Sequence, residues 1–424
     1  MSPPFKLKRP KIKPVHLATG VFVARQNGFR QLKRLNRVAM HQLKVQKSGP
    51  HRGRVHPDDP YTSEKVFEEL RQADILSSRL TREQCEIVRR ALHQFLANDQ
   101  AAFHCYSPHK PFGNDYSTCD RRLVTMDQSH PTDGGLGVVL ASVLGVSAAG
   151  RTVLEAIDTF LDEPSAAGDL AAPFLDPDEP TARQGMLPET EGLADLMVQQ
   201  TEALSNLASR LKDNFTPETQ ARLLILGLSL WVLSATLKWS ERACGTQMPR
   251  LLLADFTQRP RRPLRRASWI SVVQARRQLG DYVSVCRQSN PPVGDPGNWG
   301  EMFDYLGKRC GLIQPRSDTS RGRRYVEPMS DTIRVLVMSC FREGDTLLPF
   351  PKLAQRMRQT WSLVIGAEPD DPDRIREAGF GNLQEDDDLA ANVAAFRERL
   401  EELQLATRLS DGEHRCAALP EDLP

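Results

Sequence analysis

Apolar positions along the chain predict a mainly helical protein. Leu193, Leu196, Met197, Thr201, Leu204, Leu207 and Leu211 recur at helical spacing within Glu189–Leu211, which predicts an amphipathic helix with one core-facing side. Next, Leu223–Leu237 reads "LLILGLSLWVLSATL", apolar on every face and bounded by Arg222 and Lys238. A membrane-spanning helix needs about twenty such residues. This shorter run predicts instead a helix buried on all sides, capped by Thr216 with Pro217 in its first turn. A second apolar run, Gly134–Gly150, is rich in Gly, Ala and Ser and is also too short to span. Upstream, Thr81-Arg82-Glu83-Gln84 fits a capping box ahead of "CEIVRRALHQFL". Asp162–Leu187 reads as a surface loop.

Beyond Trp299 the pattern changes. A helix over Trp299–Arg309 leads into a hairpin over Gly311–Val326. Ser330 is placed to cap a helix running through Cys340. "PFPKLAQRMRQTW" predicts a helix with Leu353, Met357 and Trp361 on its apolar side. "SLVIGAEPDDPDRIREAG" reads as a loop with at most one helical turn. Asp387–Leu403 predicts a long helix, and "LATRLSDGEHRCAAL" two short strands about an Asp-Gly turn. Helices followed by a hairpin is the order of a winged helix. It occurs twice, ending at Val326 and near Leu419, with no internal repeat linking the two.

The expected fold class is therefore mainly α: a helical central domain with C-terminal winged-helix-like α+β regions. Pro/Gly-rich breaks at Pro50–Pro60 and Asn290–Gly297 suggest the divisions. Residues 1–58 form a basic N-terminal arm, 61–285 a helical domain with an arginine-rich end, and 298–424 the winged-helix-like part. Within the arm, Gly20–Ala24 is a short β-prone piece. Asn27–Lys47 fits one basic helix, with Phe29, Leu32, Leu35, Val38, Ala39 and Leu43 near helical spacing.

The chain has 424 residues, 40% of them apolar and 6% aromatic, enough for a large core without disulfides. Eight cysteines (Cys85, Cys105, Cys119, Cys244, Cys286, Cys310, Cys340 and Cys416) are scattered without a CxxC. The N-terminus is charged and Pro-rich, with no apolar signal region. These features predict a cytoplasmic protein with free thiols and no membrane partner.

Charge changes the picture more than composition does. The formal net charge is only +2. Met1–Pro57 nevertheless holds fourteen Lys/Arg and no Asp/Glu, whereas Ala367–Pro424 holds six Lys/Arg and sixteen Asp/Glu. Two arginine clusters stand out. "GLIQPRSDTSRGRRYVEP" places Arg316, Arg321, Arg323 and Arg324 on the predicted hairpin with one acid, Asp318. Arg250–Arg277 holds eight arginines, among them Arg261, Arg262, Arg265 and Arg266, against one acid, Asp255. Pro260 and Pro263 are expected to keep "RPRRP" extended. Trp269, within this cluster, could stack on a base but reads more simply as a core residue.

Guanidinium groups bind phosphate in a two-pronged geometry, and an acid-free basic arm gains affinity for nucleic acid by counterion release. The expected nucleic-acid contacts are therefore Arg316, Arg321, Arg323 and Arg324, the group Arg261, Arg262, Arg265 and Arg266, and Lys6, Lys8, Arg9, Lys11 and Lys13 of the arm. The alternative is that these cations meet acidic protein, either a partner or the acidic end of this chain.

Signatures of catalysis are sparse. Gly134-Gly135-Leu136-Gly137 lacks the Lys-Ser/Thr of a phosphate loop, and no HExxH or GxSxG occurs. His104, Cys105, His109 and Cys119 are zinc-ligand types at poor spacing. His56–Pro60, "HPDDP", reads as a turn. No cofactor and no catalytic residue is expected.

Trp299–Cys340, with its "RGRRYVEP" hairpin, and Leu363–Asp371, "LVIGAEPDD", resemble the accessory, non-catalytic subunits of bacterial anti-phage defence islands, of the methylation-associated defence type. In such islands similar proteins travel with a methyltransferase, a kinase and an ATPase. The resemblance implies one component of a multi-protein antiviral machine and transfers no active-site residue. The reading is a subunit that binds nucleic acid, most simply DNA, and other subunits of the complex. The rival readings are a pure protein scaffold and a zinc-dependent enzyme.

Overall fold

The computed structural model describes residue 12 and residues 14–25, 28–29, 131–162, 182–183, 191–245, 251–257, 262–289, 296–315, 323–381, 383, 385–410 and 412–423. Most of the basic arm, the capping box, "HPDDP" and the His104–Cys119 loop lie outside the described residues. The described structure is mainly α, with small strands concentrated in its C-terminal part.

Helix α1 (Pro14–Arg25) buries Leu17, Ala18, Val21 and Phe22. Its valines favour a strand at Gly20–Ala24, but tertiary packing overrides that local preference. A two-residue strand, β1 (Gly28–Phe29), follows. Helix α2 (Pro131–Val146) lies against α1 at very short range: a Cβ built on Gly137 would stand 2.5 Å from the Gly20 Cα. Helix α3 (Ala148–Asp162) continues the chain, and β2 (Ala182–Arg183) pairs antiparallel with β1.

The helix predicted over Glu189–Leu211 is two helices, α4 (Glu191–Leu196) and α5 (Val198–Asn214), with Met197 between them. Leu193, Met197, Thr201, Leu204, Leu207 and Leu211 are buried, as their spacing requires. Helix α6 (Pro217–Cys244) begins as predicted. Thr216 Oγ1 accepts the Thr219 N–H at 3.4 Å, Pro217 sits in the first turn, and left-handed Gly245 closes the helix at φ 64°. By length and composition α6 could cross a membrane, but its most apolar window is 89% buried inside the protein. Its polar atoms find partners there: Trp231 Nε1 donates to Thr201 Oγ1 at 3.2 Å and Trp239 Nε1 to the Tyr282 hydroxyl at 2.8 Å.

Strand β3 (Leu252–Leu253) precedes α7 (Arg262–Ser289). Pro263 was expected to hold the chain extended; it lies instead in the first turn of α7, where its missing N–H costs no helical bond. Helix α8 (Pro296–Arg309) packs on α7, so the break near Asn290–Gly297 separates two helices in mutual contact. Strands β4 (Ile313–Gln314) and β5 (Tyr325–Val326) form the predicted hairpin, pairing Ile313 with Val326 and Gln314 with Tyr325.

Helix α9 (Ser330–Cys340) lacks a side-chain cap. Met329 holds the cap position, and Ser330, the first helical residue, instead accepts a hydrogen bond from Arg399 at 2.8 Å. Strand β6 (Leu347–Pro349) and helix α10 (Phe350–Trp361) follow. Strand β7 (Leu363–Val364), which the sequence does not reveal, runs parallel to β3 and pairs Leu252 with Leu363. Helix α11 (Asp371–Glu377) has seven residues, about two turns where one at most was expected. A π-helical turn, Glu385–Leu389, leads into α12 (Ala390–Glu402). Strands β8 (Ala406–Arg408) and β9 (His414–Ala417) make the second predicted hairpin, and β6 joins them in a sheet of order β6–β9–β8.

One apolar cluster runs from Ile12 in the first described segment to Leu419 near the end. A smaller one, including Leu253, Leu264, Val364, Ile375 and Phe380, fills the space between α7 and the β3–β7 pair.

Candidate nucleic-acid interface

The periodicity of α7 divides its surface. Leu264, Ala267, Ser268, Ser271, Val272, Ala275, Leu279 and Tyr282 face inward. Arg266, Val273, Arg276 and Arg277 are exposed, and Trp269 is half-buried beside them. A repeat of 3.6 residues puts Arg266, Trp269, Val273 and Arg277 on one outer stripe, about 16 Å long.

The base of the β4–β5 hairpin is fixed to this helix. Ser268 Oγ accepts the Val326 N–H at 2.8 Å, and the Asp255 N–H donates to Val326 O at 2.8 Å. Docked in this way, β5 carries the hairpin arginines to the helix arginines. The Arg323 guanidinium lies over the Trp269 ring, 4.5 Å from its centroid. Arg265 lies over the Tyr325 ring at 3.7 Å. Arg324 donates to Pro315 O across the neck of the hairpin at 2.9 Å. Two arginines of the hairpin, Arg323 and Arg324, thus lie beside the described arginines of α7.

They do not all present charge. Arg265 donates through Nε to the fully buried Asp255 and through Nη1 to Glu327 at 3.2 Å. Asp255 also accepts from the N–H of Thr257 at 3.0 Å and from its hydroxyl at 2.5 Å. Burial pushes the Glu327 carboxyl and the Tyr325 phenol upward, and the Arg265 charge opposes both shifts. Arg265, expected at phosphate, is paired instead with two carboxylates, and an aromatic ring covers its plane. Arg276 pairs with Asp304 at 3.3 Å. Burial raises the Asp304 carboxyl, against the pull of Arg276, Arg324 and Lys308.

Arg266, Arg277 and Arg323 remain exposed, and among the described residues none of the three has a carboxylate partner. Arg262 opens α7, but its side chain lies outside the described residues, as do Arg261, Arg316, Arg321, Lys6, Lys8, Arg9, Lys11 and Lys13.

Part of the acidic end pairs within the C-terminal region, while its acid-rich π-helical turn, Glu385–Leu389, packs against α7. Arg358 pairs with Glu368, Asp370 and Asp371, His414 with Glu401, and Arg399 with Glu402. The acids that hold Arg265 and Arg276 all precede that region. Sequence reasoning missed the Asp255–Arg265–Glu327 anchor. Its one available signal was a lone acid in an eight-arginine stretch.

Among the described residues no group of three or more His, Cys, Asp or Glu could hold a metal ion. Cys310, Cys340 and Cys416 are buried, and burial pushes the thiols of Cys340 and Cys416 up to about 12, so both stay protonated. Compared with family models, with curated proteins and with solved structures, this chain finds no match.

Proposed function

We propose that this chain is a non-catalytic, cytoplasmic subunit that holds nucleic acid and partner proteins within a multi-protein bacterial anti-phage machine. The resemblance of Trp299–Cys340 to accessory defence subunits supplies the setting. One observation carries the nucleic-acid half: the hairpin and α7 bring Arg266, Arg277 and Arg323 to one exposed side, unmatched by carboxylates among the described residues. Exposed guanidinium groups on a shared face are suited to a run of phosphates.

The C-terminal elements α9, β6, α10, α12, β8 and β9, with β7, α11 and a π-helical turn inserted between α10 and α12 and strands arranged β6–β9–β8, support a winged-helix reading of that region. In it α12 stands where a recognition helix would. Glu398, Glu401 and Glu402 are exposed on α12; Glu401 pairs with His414 and Glu402 with Arg399, so only part of this acidic charge is free to repel phosphate. We assign that unit to protein partners. The same acidic face favours the second reading, a scaffold that touches no nucleic acid.

Titrating binding of random-sequence DNA, single-stranded and duplex, against salt separates the two. The nucleic-acid reading expects binding at low salt that falls steeply as salt rises. Replacing Arg266, Arg277 and Arg323 together by Gln should flatten the slope of log K against log salt by about one per lost phosphate contact. Absence of binding to either form at low salt leaves the scaffold.

A further inference from the structure

Arginines alone do not distinguish paired from unpaired nucleic acid. The aromatic residue among them does, and the inference drawn from it rests on the nucleic-acid reading above. The chain has five tryptophans. Trp231, Trp239, Trp299 and Trp361 are core residues, exposed by 2, 8, 1 and 5%. Trp269 is half-buried, on the outer stripe of α7 between Arg266 and Val273.

The guanidinium of Arg323 covers part of its ring at 4.5 Å, within cation–π range. Arg323 is itself exposed, and among the described residues no carboxylate holds it. Among the described residues the ring is the contact that positions it, and its side chain is exposed. The simplest other role for this pair is to lock the hairpin onto the helix. That lock already exists: Arg265 grips Tyr325, Asp255 and Glu327, and Ser268 bonds the Val326 backbone.

Duplex bases already stack on one another and offer only their edges. A flat aromatic or guanidinium surface has a partner only in a base that is unpaired. We infer that Trp269 and Arg323 form a stacking platform for an unpaired base of a single-stranded nucleic acid, with Arg266 and Arg277 on the same stripe taking flanking phosphates.

Intrinsic fluorescence tests this in the full chain, because the other four indoles are shielded. Short oligo-dT and oligo-rU should quench the emission, and a duplex of equal length should not. Quenching by either strand supports the platform, and their ratio reports the preferred sugar. Trp269→Phe should abolish the quench while keeping affinity within about threefold, since a ring remains. Trp269→Leu should weaken single-strand binding about ten- to hundredfold, the cost of one lost stack. Arg323→Lys keeps the charge but not the plane; it should weaken single-strand binding with the salt slope unchanged. Thermal melting of each variant checks its fold. Should Trp269→Leu misfold, the Phe and Lys variants still decide. Equal binding of duplex and single strand, with no quench and no loss in Arg323→Lys, overturns the platform and leaves the nucleic-acid reading standing. Failure to bind either form overturns both.

Discussion

Asn392 is completely buried, and one side chain there serves three backbone groups. Its Nδ2 donates to Ala254 O and to Ile365 O, both at 2.8 Å, and its Oδ1 accepts the Phe256 N–H at 2.8 Å. Asn392→Leu keeps the volume but strands two carbonyls and an N–H. Each buried unsatisfied group costs about 1–3 kcal/mol. The expected loss is therefore about 3 kcal/mol or more, read as a lower urea midpoint at unchanged slope. Asp370 acts through charge. Hydrogen bonds from Arg358 and then Arg374 pull its carboxyl down to about 2 from an ordinary 3.8. A folded value below the unfolded one means stabilisation that is present above about pH 4 and lost as pH falls toward 2. Asp370 is nearly half-exposed, so solvent screening keeps the effect below about 1 kcal/mol. The melting temperatures of the wild type and Asp370→Asn should differ at pH 6 and converge as pH falls through about 2. Neither role was legible in the sequence. A single Asn carries no periodicity, and "EPDDPD" has the composition of any solvated turn; both depend on groups brought in from distant segments.

Contacts between elements set a different kind of limit. At the α1–α2 crossing, a Cβ on Gly137 would stand 2.5 Å from Gly20 Cα and 2.8 Å from Val21 N. Both obstacles are backbone, so no rotamer change relieves them. Gly137→Ala gains about 1 kcal/mol of helix propensity in isolation. It should nevertheless lower the melting temperature and speed hydrogen exchange in α1, because the helices must part. Gly280, in the interior of α7, has nothing within 4 Å of a built Cβ. Gly280→Ala should stabilise the protein by up to about 1 kcal/mol. A stabilised Gly137→Ala would show that the crossing is not tight. The helices that the sequence does announce are those with local signals. Helix α6 has an unbroken apolar run behind a Thr-Pro start, and α10 shows Leu353, Met357 and Trp361 at spacing four. Helix α1 is hidden in the sequence because "GVFVA" is β-prone on its own, and its burial partner lies more than a hundred residues on. Strands β3 and β7 are two residues each, too short for alternation to register.

At the scale of the molecule, the order of the longer helices and of the two hairpins was legible, and their union was not. The helices and hairpins after Trp299 could be laid out from pattern alone, and so could the concentration of arginine on the first hairpin. What the sequence hides is that β5 brings Arg323 and Arg324 beside the arginines of α7 while Asp255 and Glu327 neutralise Arg265. Nor does it show that one apolar cluster joins Ile12 to Leu419. Removing residues 298–424 would strip β7 from β3 and α9 from α5 and α6. The shortened chain should therefore show no cooperative thermal transition, and it should bind a hydrophobic dye. A sharp melt would instead establish an independent unit before residue 298. The β3–β7 pair also bears on synthesis. Leu252 leaves the ribosome long before Leu363 exists. The nascent polypeptide must carry an open, apolar strand edge through the making of α7 to α10, so translation pauses or chaperone supply in that interval should govern the yield of native protein.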